Sequence, residues 1–239
     1  MFLILVQSGL ELFLYRTALI IVASMRLTDS APGSRVAPIE PQIDMATARA
    51  MVKRNIEALF DGTHEWPMQL NSEPALGLAL SYAYAMQQFV IAHEISHIYR
   101  SLKFATDPRW KAFLASRPDI ASPWGEEFLA DMDASTICGR LIPIVVQKGY
   151  MPQDVAEDVL FETPFIVFGL LEAMDKIAAA KGLVSGETHP PARLRRSNLL
   201  RFHKVRPVSR CYLDKAAERS LHIDLLTGLR RPVRARATR

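Results

Sequence analysis

The chain has 239 residues, 49% hydrophobic and 23% charged, which is enough apolar content to bury a sizeable core in one large domain. Its two cysteines, Cys138 and Cys211, lie far apart and lack metal-ligand spacing, which argues against a disulfide framework and for a reducing compartment, the cytoplasm. The net charge of +4 is unevenly spread: residues 193–239 hold 14 Lys/Arg against three acids, the other 192 residues 15 against 22.

In chain order, Met1 to Met25 is apolar but interrupted by Gln7, Glu11 and Arg16, and its longest uncharged runs are about ten residues. That is too short to span a bilayer, and the early positive charge and small-residue cleavage site of a signal peptide are missing. Thr17 to Ser24 (TALIIVAS) is short and partly β-branched, so it predicts a buried strand in a small N-terminal sheet. A Pro-rich link from Ala31 to Pro41 follows. Asp44 then caps a helix to about Phe60 with Met45, Ala48, Val52, Ile56 and Leu59 as its apolar stripe, closed by Gly62. Gly62 to Ser72 reads as a loop or short strand pair. A long helix is expected from about Glu73 to Leu102. The stretch from Pro74 to Ala92 has no charge, but its Ser, Tyr and Gln residues fit a central buried helix better than a membrane span.

Residues 104–121 carry turn signals around a short helical piece. Ser122-Pro123 predicts a helix start, with the helix continuing to about Gly139, and Pro152 opens another to Lys181-Gly182, bent near Pro164. Two more helices are expected at 192–204 and 213–227. Leu229 to Arg239 holds five Arg and little apolar content, a disordered basic tail. The expected fold class is therefore α+β and predominantly helical: one domain over residues 1–228, with 1–42 as an N-terminal strand and linker region, followed by the tail at 229–239.

The chemistry is concentrated in His93-Glu94-Ile95-Ser96-His97. Random placement of 6 His and 13 Glu gives about 0.01 such H-E-x-x-H patterns per chain, so chance is a poor explanation. On a helix, residues i and i+4 share a face, and two imidazoles so placed can hold one zinc ion. Glu94 falls to one side, where a general base for an activated water is needed. A catalytic zinc takes three protein ligands and keeps a fourth position open. Glu127, in Glu127-Phe128-Leu129-Ala130-Asp131 on the next strong helix, is the best third ligand. Ala130 is small where two helices must approach. Asp131, one turn on, can hold a ligand imidazole in one tautomer. Glu126 fits the helix dipole instead.

H-E-x-x-H followed by E-x-x-A-D resembles the gluzincin arrangement of zinc metallopeptidases. Thr188-His189-Pro190-Pro191 with Arg195 is similar to a segment near the active site of the CAAX prenyl endopeptidase and HtpX-type family, and the chain also resembles phage-exclusion Lit-like peptidases. The resemblance implies a zincin-like domain around a central H-E-x-x-H helix, with Zn2+ as cofactor and a protein or peptide as substrate. It implies that His189 or Arg195 lines the cleft, polarises a substrate carbonyl or braces the Glu127 helix. Tyr82, Tyr99 and Tyr150 are candidate oxyanion donors, with nothing in the spacing to select among them. The expectation is a zinc-dependent peptidase with Glu94 as base; the alternative is a non-catalytic zinc protein that binds a partner or nucleic acid through its basic C-terminal part. Nucleic acid is the less expected partner, and membrane association, including an N-terminal anchor, is a less favoured alternative.

Overall fold

The computed structural model describes residues 8–26, 39–63, 68–116, 122–183, 189–205, 222 and 224–226. Among the described residues, seven helices of eight residues or more carry the fold: α1 (Ser8–Ser24), α2 (Met45–Asp61), α3 (Glu73–Thr106), α4 (Pro108–Ala115), α5 (Pro123–Gln147), α6 (Gln153–Ala180) and α7 (Ala192–Val205). Among the described residues there is no β-strand; Ile39 alone has a bridge assignment. The fold is almost entirely helical, and the expected α+β class with a small N-terminal sheet is wrong.

The error has a physical origin. Thr17 to Ser24 is the second half of α1, not a strand, and Ala18 to Ala23 is buried without a break. A helix packed on several sides has no polar face, so it shows no 3.6-residue period to set against a strand. The two charges that seemed to break up the segment belong to the helix. Glu11 lies on its exposed side and accepts a hydrogen bond from Gln87 of α3 (2.7 Å), while Arg16 is buried. Buried Asn55 of α2 donates to the Phe13 carbonyl (3.1 Å) and to Thr17 Oγ1 (2.9 Å), fastening α2 to α1.

The helix starts follow from their caps. Asp44, Ser72 and Ser122 each accept a hydrogen bond from the backbone N–H three residues on, that of Thr47, Ala75 and Gly125, which satisfies an otherwise unpaired donor. Gly62 closes α2 at a positive φ of 67°, a conformation that glycine adopts without steric penalty. Two helices outrun their expected ends: α3 reaches Thr106, and α5 passes Gly139 to Gln147 with Pro143 inside it.

Helix α3 is the axis of the molecule and packs against α1, α5 and α6. It is long and apolar enough to cross a membrane, yet Ala79, Tyr82, Ala85, Met86 and Phe89 form a buried face. That face meets α6, where Phe165, Ile166, Phe168 and Leu170 are buried, and Phe89 and Phe168 pack edge to face at 5.7 Å. Helix α7 lies on α6 and α5. The C-terminal end of α3, the start of α5 and the start of α7 thus converge. The expected 213–227 helix falls largely outside the described residues, though 222 and 224–226 are helical; the 229–239 tail lies outside them altogether.

Candidate metal centre

Three helices each deliver part of the site. In α3, His93 is buried and His97 half-buried, their rings 4.7 Å apart and nearly perpendicular. Their Nε2 atoms face one another at 3.1 Å. Helix α5 approaches closely because Ala130, fully buried, and Ala92 and Ser96 on α3 are small. It places Glu127 Oε1 3.3 Å from His97 Nε2 and Oε2 3.5 Å from His93 Nε2. Ligand atoms held tetrahedrally at 2.0–2.1 Å from one zinc are separated by roughly 3.3–3.4 Å. The Nε2–Nε2 separation, and the approach of each nitrogen to one or other carboxylate oxygen, are of that size, and the ligand atoms of the three residues all lie within 4.8 Å of one another. Among the described residues, His93, His97 and Glu127 are the one His/Cys/Asp/Glu group gathered tightly enough to hold a metal ion. In addition, Glu127 Oε2 is buried and accepts no well-formed hydrogen bond, which suits an atom kept for a cation.

Behind the ligands lies a charged brace. Asp131 Oδ1 is 3.0 Å from His93 Nδ1, so this nitrogen carries the hydrogen and Nε2 is left to face the cluster. Arg195, at the start of α7, grips both Asp131 oxygens (Nε to Oδ2 2.9 Å, Nη2 to Oδ1 2.6 Å) and reaches Glu127 Oε2 with Nη1 at 3.3 Å. A planar guanidinium does this well because its donors form a fixed fork. The guanidinium also lies over the Phe168 ring, with Cζ 5.2 Å from its centroid.

Glu94 lies on the exposed side of α3, and its charge helps hold Arg195 protonated. His189 is exposed, with Nδ1 3.0 Å from Glu127 Oε1, and stands outside the three-ligand group. The Pro191 carbonyl accepts from the N–H groups of Leu194 (2.8 Å) and Arg195 (3.2 Å), so His189-Pro190-Pro191 is the rigid lead-in to α7; Thr188 lies outside the described residues. Six of the seven sequence-derived site residues thus meet in one contact network, and Glu94 lies on the exposed side of α3 beside it.

Two of the three candidate tyrosines do not join it, and Tyr99 is exposed beside Lys103. Tyr82 is buried and donates to Glu162 at 2.8 Å. Tyr150 follows the far end of α5, roughly 30 Å of helix from Glu127. Sequence reasoning missed Arg100, which donates to Asp133 and, at 3.4 Å, to the Leu129 carbonyl, tying α3 to α5 beside the site. Its position three residues after His97, on the same side of the helix, was the available signal.

The electrostatics behave as if a cation belonged here. Burial alone would push His93 down, but hydrogen bonds to Asp131 and Glu127 outweigh it and lift the imidazole to about 9. Burial would raise Glu127, yet hydrogen bonds from His93 and His97 and the Arg195 charge hold it well below the usual carboxylate range. These are two ends of one interaction: a proton occupies the charge position between the ligands. In the metal-free protein this contribution is complete below the ordinary imidazole value of 6.5 and is lost as pH rises through about 9. The same proton must leave when a cation binds. Apparent zinc affinity is therefore expected to rise about tenfold per pH unit between 6.5 and 9, which chelator competition at several pH values measures. A pH-independent affinity would contradict this arrangement.

No family model matches the chain, no curated protein shows significant similarity to it, and no solved structure resembles it significantly. The ligand class rests on the His/His/Glu cluster itself, and no particular peptidase family is assigned.

Proposed function

We propose that the chain is a zinc-dependent peptidase. The observation that carries this reading is the close clustering of His93, His97 and Glu127 beside an exposed glutamate. These residues would hold the ion, which when bound supplies a Lewis acid able to make water nucleophilic near neutral pH. Glu94 takes the proton of the attacking water and passes it to the leaving amine of the peptide. Asp131 keeps the Nδ1 hydrogen on His93, and Arg195 holds Asp131 and Glu127 in register. His189, exposed and in contact with Glu127, is positioned to donate a hydrogen bond toward a substrate carbonyl.

A purely structural zinc site has no need of a carboxylate on its open side, and this favours turnover over a zinc-bearing interaction protein. For location we propose the cytoplasm, because the chain has only two cysteines, far apart in sequence, and Cys138 is a free thiol. The test is Glu94→Gln assayed for both zinc content and peptide cleavage.

A further inference from the structure

The end of α3 and the whole of α4 form a limb that the metal centre does not use. Tyr99, Leu102 and Phe104 are 58%, 49% and 49% exposed, and every α4 residue with a described side chain is exposed. An isolated eight-residue helix is marginal in water, so α4 gains little from its own propensity. Yet its sequence, PRWKAFLA, is rich in aromatic and aliphatic residues.

The limb is also basic. Lys103, Arg109 and Lys111 stand against the single Asp107, whose Oδ1 is occupied by the Arg109 backbone N–H at 2.9 Å. Lys103 lies over the Tyr99 ring (5.8 Å) and Lys111 over the Phe104 ring (5.7 Å), so each of these cations is held beside an aromatic ring. Exposed aromatic and aliphatic side chains interleaved with Lys and Arg are the composition that settles at the boundary between headgroups and acyl chains.

We propose that this limb docks the protein on an anionic lipid surface, with Phe104 entering the interface and Arg109 and Lys111 meeting the headgroups. A lipid interface takes up both the apolar side chains and the cations of this surface, whereas a nucleic acid engages chiefly the cations through its phosphates, and this favours lipid. His97 precedes Phe104 by seven residues, about 10 Å along the helix axis, so the docked protein holds its metal centre close to the membrane. A substrate anchored in or near that membrane then meets the site at raised local concentration. The docking does not depend on the peptidase reading.

The test is co-sedimentation of the full chain with phosphatidylcholine vesicles, with and without about one quarter phosphatidylglycerol. Wild type is expected to bind the anionic vesicles and to release at high salt. Phe104→Ser and Arg109→Glu/Lys111→Glu, all at exposed positions, are each expected to lower partitioning at least about tenfold while zinc content and circular dichroism stay as in wild type. Unchanged partitioning in both variants, or binding abolished only by deleting residues 229–239, overturns the proposal. So does limb-dependent binding to a single-stranded oligonucleotide without binding to vesicles. Zinc content, read in the same samples, reports on the metal centre separately.

Discussion

Glu94→Gln is expected to bind zinc as tightly as the wild type while peptide cleavage falls by about 10²–10⁴-fold, the range associated with loss of a general base. The substitution preserves shape and removes only the ability to accept a proton. Because Glu94 is exposed and is not one of the three clustered ligands, its loss leaves His93, His97 and Glu127 in place. The helix itself does not need the carboxylate, so folding is expected to be unaffected. Comparing protein N-termini in cells expressing wild type and the variant reads cleavage whatever the substrate is. New N-termini that appear equally with both proteins would remove Glu94 from the mechanism.

Glu127→Ala acts on the other half of the site and is expected to do two things at once. Zinc affinity falls by more than about 100-fold, since one ligand is gone and the brace behind it is disturbed. The metal-free protein is also destabilised by about 3–5 kcal/mol, because a buried ionic network loses its central carboxylate and leaves Arg195 with one partner fewer. Chelator competition reads the first effect and urea denaturation of the metal-free form the second. Full zinc binding by Glu127→Ala would show that the third ligand lies elsewhere.

How much of this was legible in the residues differs sharply between the site and the fold. The ligand helix could be read because H-E-x-x-H fixes spacing, helix and chemistry together. Glu127 and Asp131 could be read because a four-residue step puts both on one face, next to an alanine that permits close approach. Arg195 was reachable only through a motif resemblance, and the structure supplies the physical reason for it: a fork across Asp131 and Glu127. The N-terminal fold was not legible. Thr17 to Ser24 is apolar on every face because α1 is covered by both α2 and α3, and its β-branched residues tilt propensity the wrong way. Arg100 escaped because its position one turn after His97 marks its side of the helix but does not name its partner 33 residues away.

The chemistry proposed for this chain requires a metal ion held by two imidazoles and one carboxylate. X-ray absorption at the zinc edge of the purified, zinc-loaded chain measures this most directly. One zinc per chain, surrounded by nitrogen and oxygen at about 2.0–2.1 Å with imidazole scattering beyond, is the expected result. The absence of stoichiometric zinc, or a sulfur shell at about 2.3 Å, would contradict the assignment of His93, His97 and Glu127.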